Sequence, residues 1–390
     1  MVNVLILPHG FPHNSLKVRF YEIARGLSRD KRFNVYILMR PPSSKIHATL
    51  FILKSFKGIF KPSIYQTEKD KINFIKCPFF YGPVPLFTKF NQSIFRYIIE
   101  KYNINVVINE FSHSLAIPPS QSLIHIYDLA DDYLNFHRNI FVKYFIKKHL
   151  RTELLKCDVV TSASMHLVQR LRGLGWIKDF IWIPNGFYKE DFENIPENEI
   201  KYIRKKYNLE GKFVIGHIGS QDKYSGLDFL LQVFNQLIEY EPKTTLLIVG
   251  PFINIDAKKI AKLKNVVITG PVAPDRIPAF FKSVDIGVLP YKPDETVHGR
   301  FPIRMMDFTA ARKIVVSWPF GDLKTLNLPN IILAERNIPD WVKAILSAKD
   351  MTWKREWDYL LNEFSWQVIV AKLKEIVFKL LDEKLIKWSL

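Results

Sequence analysis

Three stretches of this chain combine residue types able to do chemistry with positions where a fold could present them. The first is Tyr127-Asp128-Leu129-Ala130-Asp131-Asp132-Tyr133, which directly follows the apolar string from Leu123 to Tyr127. A carboxylate within hydrogen-bond reach can orient or deprotonate a hydroxyl group, so Asp128 and Asp131 are candidates for that work. Two other readings stay open: Asp131 or Asp132 capping a helix, and a DxD metal clamp. His125, in the middle of the apolar string, is read either as a buried, hydrogen-bonded histidine or as a base.

The second stretch, Gly219-Ser220-Gln221-Asp222-Lys223-Tyr224-Ser225-Gly226, sits between an apolar string and a helical one. Its glycines would let a backbone approach a phosphate closely. It lacks the Gly-Lys-Ser/Thr ending of a P-loop and the three spaced glycines of a dinucleotide site, and a tight strand-to-helix turn is the plainer alternative. The third stretch runs from Pro290 to Asp307 and leads into a helix with Pro302 in its first turn. Asp307 follows Ile303 at helical spacing, and a carboxylate there can accept two hydrogen bonds from a ribose diol. A solvated helix aspartate is the competing reading.

These residues matter only if strands and helices bring them to one edge. Short β-rich strings alternate with amphipathic helical strings along the whole chain, the pattern of parallel sheets covered by helices on both faces. Candidate strands in the first half are Val2 to Leu7, Asn34 to Leu38, Ile104 to Ile108, Leu123 to Tyr127, Asp158 to Thr161 and Ile181 to Ile183. Helical spacing links Phe20, Ile23, Ala24 and Leu27, and again Val142, Phe145, Ile146 and Leu150. A second set comprises Phe213 to Ile218, Thr245 to Val249, Val266 to Ile268, Asp285 to Leu289, Ile314 to Ser317 and Ile331 to Leu333. Leu227, Leu230, Leu231, Phe234 and Ile238 mark one face of the helix after its first strand. The acidic stretch Lys189 to Glu199 reads as a solvated linker between the two sets. In open α/β sheets ligands sit beyond the carboxyl ends of the strands, so each chemical stretch lies at a ligand edge.

The 390 residues suit two domains, and a hydrophobic share of 48% excludes a disordered chain. Cys77 and Cys157 cannot build a disulfide framework or a zinc site, which points to a reducing cytoplasm. The start of the chain lacks the features of a signal peptide, and no run approaches the 18 apolar residues of a spanning helix, so a soluble or peripheral protein is expected. A net charge of +18 calls for anionic company. Basic, aromatic segments, Lys45 to Lys61 and Phe141 to Arg151, suit an anionic membrane surface; the alternative is a core-facing helix with a lysine face. Nucleic acid is not expected, because no recognition motif accompanies the charge.

The order of motifs resembles the group 1 family of retaining glycosyltransferases with the GT-B fold, along nearly the whole chain. The matching pieces are Pro8-His9-Gly10-Phe11-Pro12 before Arg19, Ile183-Pro184-Asn185-Gly186-Phe187, the turn from Gly219 to Gly226, Leu289-Pro290-Tyr291, Pro302 to Asp307 followed by Arg312-Lys313-Ile314-Val315-Val316, and Phe364-Ser365-Trp366. The chain also departs from the family. Ser220 and Ser225 stand where the family carries Arg and Lys, and Gly299 stands where the first of two acidic residues belongs, flanked by His298 and Arg300.

The resemblance implies two Rossmann-like domains facing across a cleft. Residues 1–188 would form the acceptor-side domain, joined by a terminal helix over 367–390, and residues 200–366 the nucleotide-sugar-binding domain. It further implies transfer of a sugar from a nucleotide-sugar donor to a glycan or lipid-linked acceptor, with retention and without a metal or other cofactor. Lys223 and Arg300 would stabilise the leaving diphosphate together with the backbone of Gly10, Gly219 and Ser220. Asp307 would hold the ribose, and Asp128 or Asp131 the acceptor. The expected location is cytoplasmic, at most peripheral at the inner membrane face. Two alternatives remain: a nucleotide-sugar 2-epimerase of the same fold, and a non-catalytic basic scaffold with a decayed donor site.

Overall fold

A computed structural model of the protein describes residues 1–9, 18–39, 63–68, 70–77, 85–110, 117, 122–136, 139–177 and 179–389. The basic segment Lys45 to Lys61 and the turn residue Gly10 lie outside the described residues. The chain divides into two compact units, residues 1–184 with 369–390, and residues 185–368.

The first unit is built on an eight-stranded sheet in the order β3-β4-β2-β1-β5-β6-β7-β8. The strands are β1 (Val2–Leu7), β2 (Phe33–Leu38), β3 (Ser63–Gln66), β4 (Asn73–Lys76), β5 (Val106–Asn109), β6 (Ile124–Leu129), β7 (Val159–Ser162) and β8 (Phe180–Trp182). All neighbours pair in parallel except β3 with β4. Parallel strands covered on both faces must be apolar throughout, and Val4 to Leu7 and all of β5 and β6 are buried. The β3–β4 hairpin was not expected from the sequence. Its edge strand Ser63–Gln66 is exposed along its length and held partly by the ring of Tyr65 stacked 5.1 Å from Phe74, so it has no apolar run to betray it.

The helix Trp366–Ser389 begins in the second unit and belongs to the first from Ile369 onward. There Phe378 packs 5.3 Å from Phe33, Lys374 pairs with Asp30 at 3.2 Å, and Lys384 pairs with Asp158 at 3.0 Å.

The second unit has a six-stranded, wholly parallel sheet in the order β11-β10-β9-β12-β13-β14. Its strands are β9 (Phe213–Ile218), β10 (Thr244–Val249), β11 (Val266–Gly270), β12 (Ile286–Leu289), β13 (Ile314–Ser317) and β14 (Ile331–Leu333). Numbered from β9, the order is that of a doubly wound fold, and it reverses between β9 and β12. In the first unit the same reversal falls between β1 and β5. The helix Leu227–Tyr240 buries Phe229, Val233 and Leu237 besides Leu227, Leu230 and Phe234, whereas Leu231 and Ile238 are only partly covered. Its apolar face is thus turned somewhat from the sequence reading.

The stretch from Lys189 to Glu199 is not a solvated linker. It carries the helix Glu190–Glu193 and the start of the helix Glu197–Lys206, both within the second unit. Phe192 is buried edge-on to Phe187 and Phe281 at 6.2 and 6.3 Å. Burial of this single ring fixes the segment against the unit, and its acidic neighbours cover the outside.

Candidate functional site

Ligands of doubly wound sheets sit where the strand order reverses, outside the carboxyl ends of the strands. In the second unit that point lies between the turn after β9 and the turn after β12. Gly226 closes the first turn in the left-handed conformation (φ 72°) as the cap of helix Leu227–Tyr240, and a Cβ there would come within 1.8 Å of the Pro290 carbonyl oxygen. Only glycine allows this approach. Lys292 N–H donates to the Tyr224 carbonyl at 3.0 Å, so the two turns are joined by backbone as well.

Side chains converge on the same place. Lys223 Nζ lies 4.6 Å from the ring centroid of Tyr224, and the Arg300 guanidinium lies 5.1 Å from it. The structure therefore brings Arg300, far away in sequence, to the turn that carries Gly219, Ser220 and Lys223. Asp294 carries a lowered carboxyl pKa; burial opposes the shift, while hydrogen bonds from Thr296 and the charges of Lys223 and Arg300 drive it. His298 accepts from Gly321 N–H through Nδ1 at 3.2 Å and meets Trp318 edge-on, an arrangement that leaves Nε2 carrying the proton.

Asp307 sits in the helix Ile303–Ala310, for which Pro302 is the N-cap, immediately before β13. It is 4% exposed, which excludes the solvated helix aspartate. Ser225 is also buried, donating through its hydroxyl to the Asp222 carbonyl at 2.8 Å.

One residue of this edge escaped sequence reasoning. Arg304, in the first turn of the helix Ile303–Ala310, extends to the turn after β9 and donates from Nη2 to the Ser220 carbonyl at 3.3 Å. An arginine between two apolar residues in a helix has no sequence signature. Its proximity to a turn 84 residues earlier appears only in the fold.

At the carboxyl edge of the first unit, Arg19 gives Nε and Nη2 to the two oxygens of Asp128 at 2.7 and 2.9 Å, and Nη1 to the Pro184 carbonyl at 3.2 Å. Thr161 donates to Asp128 Oδ1 at 2.7 Å. Both partners of the ion pair are buried. Asp128 was expected to orient or deprotonate the acceptor hydroxyl; here both its oxygens accept from fixed donors on Arg19 and Thr161, an arrangement that positions Arg19 and β6. Glu110, after β5, is also buried here; desolvation and then the charge of Asp128 push its carboxyl pKa well above the usual range. Asp132 is buried and paired with Arg170 at 2.7 Å. Of the three aspartates in the string, Asp131 is the partly exposed one, and His9 stacks on Tyr133 at 4.0 Å nearby.

His125 fits the reading as a buried histidine. Burial lowers its pKa to about 4, and burial raises Glu153 to about 8, so at neutral pH both are uncharged although only 3.8 Å apart. Distance alone would suggest an ion pair; desolvation of both groups argues against one.

In the helix Ile140–Lys156 the buried residues are Ile146, Leu150, Glu153 and Leu154. Ile140 and Phe141 are 79% and 77% exposed, and Tyr144 and Phe145 are also exposed, interleaved with Lys143, Lys147 and Lys148. Phe145 thus faces outward, contrary to the helical face read from the sequence. Among the described residues, no helix is long and apolar enough to cross a membrane.

With this geometry in place, comparison with solved structures defines the fold. The chain superimposes along 98% of its length on all of a sucrose-phosphate synthase from Thermosynechococcus elongatus, with a TM-score of 0.71 and 13% identity. A glycosyltransferase from Rickettsia africae gives 0.68 and 16% identity, with 97% of this chain and 98% of that one covered. Anabaena HepE in complex with UDP gives 0.63 and 13% identity, with 97% and 100% covered. The fold is GT-B, a pair of doubly wound α/β units. Residues 212–350, all within the second unit, match the family described as glycosyl transferases group 1. The chain is also 29% identical over 189 residues to the putative teichuronic acid biosynthesis glycosyltransferase TuaH of Bacillus subtilis, a match spanning 44% of this chain and 47% of that relative.

Proposed function

We propose that the chain is a glycosyltransferase that moves a sugar from a nucleoside diphosphate sugar to an acceptor hydroxyl, with retention at the anomeric carbon. The observation that carries this reading is the assembly at the strand-order reversal of the second unit. There a glycine turn, Lys223 and Arg300 meet, and the buried Asp307 belongs to the helix between β12 and β13. Asp307 accepts the two ribose hydroxyls, and the cations neutralise the diphosphate. HepE, solved in complex with UDP, has the same fold, and the strand-order reversal is where doubly wound sheets hold a nucleotide.

In the reaction the bond between the anomeric carbon and the diphosphate oxygen breaks, and the nucleoside diphosphate leaves with the electron pair. The acceptor oxygen bonds to the same carbon and loses its proton to a carboxylate. Fixed cations aimed at the departing oxygen lower the barrier because they need no reorganisation as charge develops. For the acceptor side we assign Asp131 to contact the hydroxyl and Asp128, through Arg19, to position the edge that carries it. Retention rests on the resemblance in motif order.

The acceptor is a glycan or a lipid-linked sugar, and the exposed aromatic and lysine side chains of the helix Ile140–Lys156 suit an anionic membrane face where such lipids lie. The test is incubation with UDP-, GDP-, ADP-, CDP- and dTDP-sugars, with and without a lipid extract, followed by NMR of the product. Acceptor-dependent release of nucleoside diphosphate with the donor's anomeric configuration in the product is expected. Isomerised nucleotide-sugar formed without acceptor, or no consumption of any donor, would contradict the reading.

A further inference from the structure

The donor-site reading leaves a deficit at the first turn of the second unit, because Ser220 and Ser225 stand where the family carries cations. Ser225 is buried and committed to Asp222, so it cannot contribute. Arg304 fills the space instead. A Cβ built on Gly219 (φ 126°) would lie 2.8 Å from Arg304 Nη2, so the bare backbone of Gly219 is what admits the guanidinium. The guanidinium also lies 5.1 Å from the ring centroid of Tyr291.

Arg304 forms no ion pair among the described residues, and its Nη1 is buried without a hydrogen-bond partner. Its titratable neighbour is a histidine rather than a carboxylate. His217, at 0% exposure, is held neutral with its pKa lowered to about 3, first by burial and then by Arg304 itself. A partly desolvated guanidinium with unused N–H groups is costly unless an anion meets it. Its planar fork suits phosphate oxygens.

We propose that Arg304 is the cation that grips the diphosphate of the donor at the Gly219–Ser220 turn, reaching it from the helix Ile303–Ala310 rather than from the turn itself. This rests on the donor-site reading and deepens it. Arg304 and Asp307 lie one helical turn apart, so one helix holds both the diphosphate and the ribose. Lys223 and Arg300, both against the ring of Tyr224, then address the sugar-proximal charge.

The test uses the full chain and titration calorimetry with UDP, GDP, ADP, CDP and dTDP, with the matching nucleosides followed by ligand-observed NMR. Arg304→Ala and Arg304→Gln are expected to weaken the preferred diphosphate about 10–100-fold while leaving the nucleoside within about 3-fold of the parent. Arg304→Lys keeps the charge and loses the fork, and should fall between. Melting curves identify variants that fold, and the glutamine form, isosteric along most of its length, covers a misfolded alanine form. Diphosphate affinity equal to the parent's in the folded variants, or equal losses for nucleoside and diphosphate, would overturn the role of Arg304. If the parent itself bound none of the five diphosphates, the donor-site reading beneath it would fall.

Discussion

Removing the guanidinium from Arg19 should unfold the edge of the first unit more than its single side chain suggests. Arg19 and Asp128 are 5% and 1% exposed, and the pair is bidentate at 2.7 and 2.9 Å. An exposed pair contributes about 0–1 kcal/mol, whereas breaking a buried one leaves an uncompensated charge and costs about 3–5 kcal/mol. Thr161 still donates to Asp128 after the change, so Arg19→Ala should lie near the lower end, about 3 kcal/mol. Urea unfolding followed by circular dichroism measures this directly. The double variant Arg19→Met with Asp128→Leu removes both charges and should recover most of the loss, since the penalty belongs to the orphaned carboxylate. A loss below about 1 kcal/mol for Arg19→Ala, or a double variant as unstable as the single one, would refute the argument from desolvation.

Glu153 gives a pH signature of known sign. Its folded pKa is raised to about 8 from an ordinary 4.5, so the folded state holds the proton longer than the unfolded one. Its contribution is therefore full below pH 4.5 and declines as pH rises to about 8. His125, lowered to about 4 from an ordinary 6.5, is neutral in both states only above about pH 7.5; below that its unfolded form adds an opposite slope, so the comparison with Glu153→Gln isolates the Glu153 decline between pH 6.5 and 8. Glu153→Gln should flatten it in melting curves across those pH values; an unchanged slope would count against a neutral Glu153. The helix Ile140–Lys156 should carry the protein to vesicles containing anionic lipid, with each lysine near the surface contributing about 1 kcal/mol and salt weakening the attraction. Flotation should show binding to anionic vesicles only, reduced by Phe141→Ser with Lys147→Glu; equal recovery on neutral vesicles would contradict it.

The parallel strands were legible because burial on both faces demands unbroken apolar runs; β1, β9 and β13 match the sequence reading residue for residue, and so does the apolar but only half-covered edge strand β14. The β3–β4 hairpin was not, since an exposed edge strand needs no such run. Acidic composition hid Phe192, and one buried ring outweighs the charges around it in deciding where residues 189–199 go. At the candidate site, glycines and prolines marked the turns after β9 and β12 correctly as turns, because their backbone requirements are local. The partners across those turns are not local. Arg19 meets Asp128 across 109 residues and Arg304 meets Ser220 across 84. No periodicity records such pairs, although Arg19 was visible as the start of its helix.

In the proposed function a nucleoside diphosphate binds at the carboxyl edge of the second sheet, with Asp307 holding its ribose. Two charge-assisted hydrogen bonds to the diol contribute roughly 2–5 kcal/mol, so Asp307→Ala should weaken diphosphate affinity by about 30-fold or more, and Asp307→Asn should fall between it and the parent. The 2′,3′-dideoxy diphosphate provides the internal control, because it offers no hydroxyls and should bind parent and Asp307→Ala alike. Titration calorimetry of the folded parent and Asp307→Ala with both nucleotides is the decisive measurement. A large loss with the ribonucleotide and none with the dideoxy form is expected; equal affinity of parent and variant for the ribonucleotide would contradict a ribose held by Asp307.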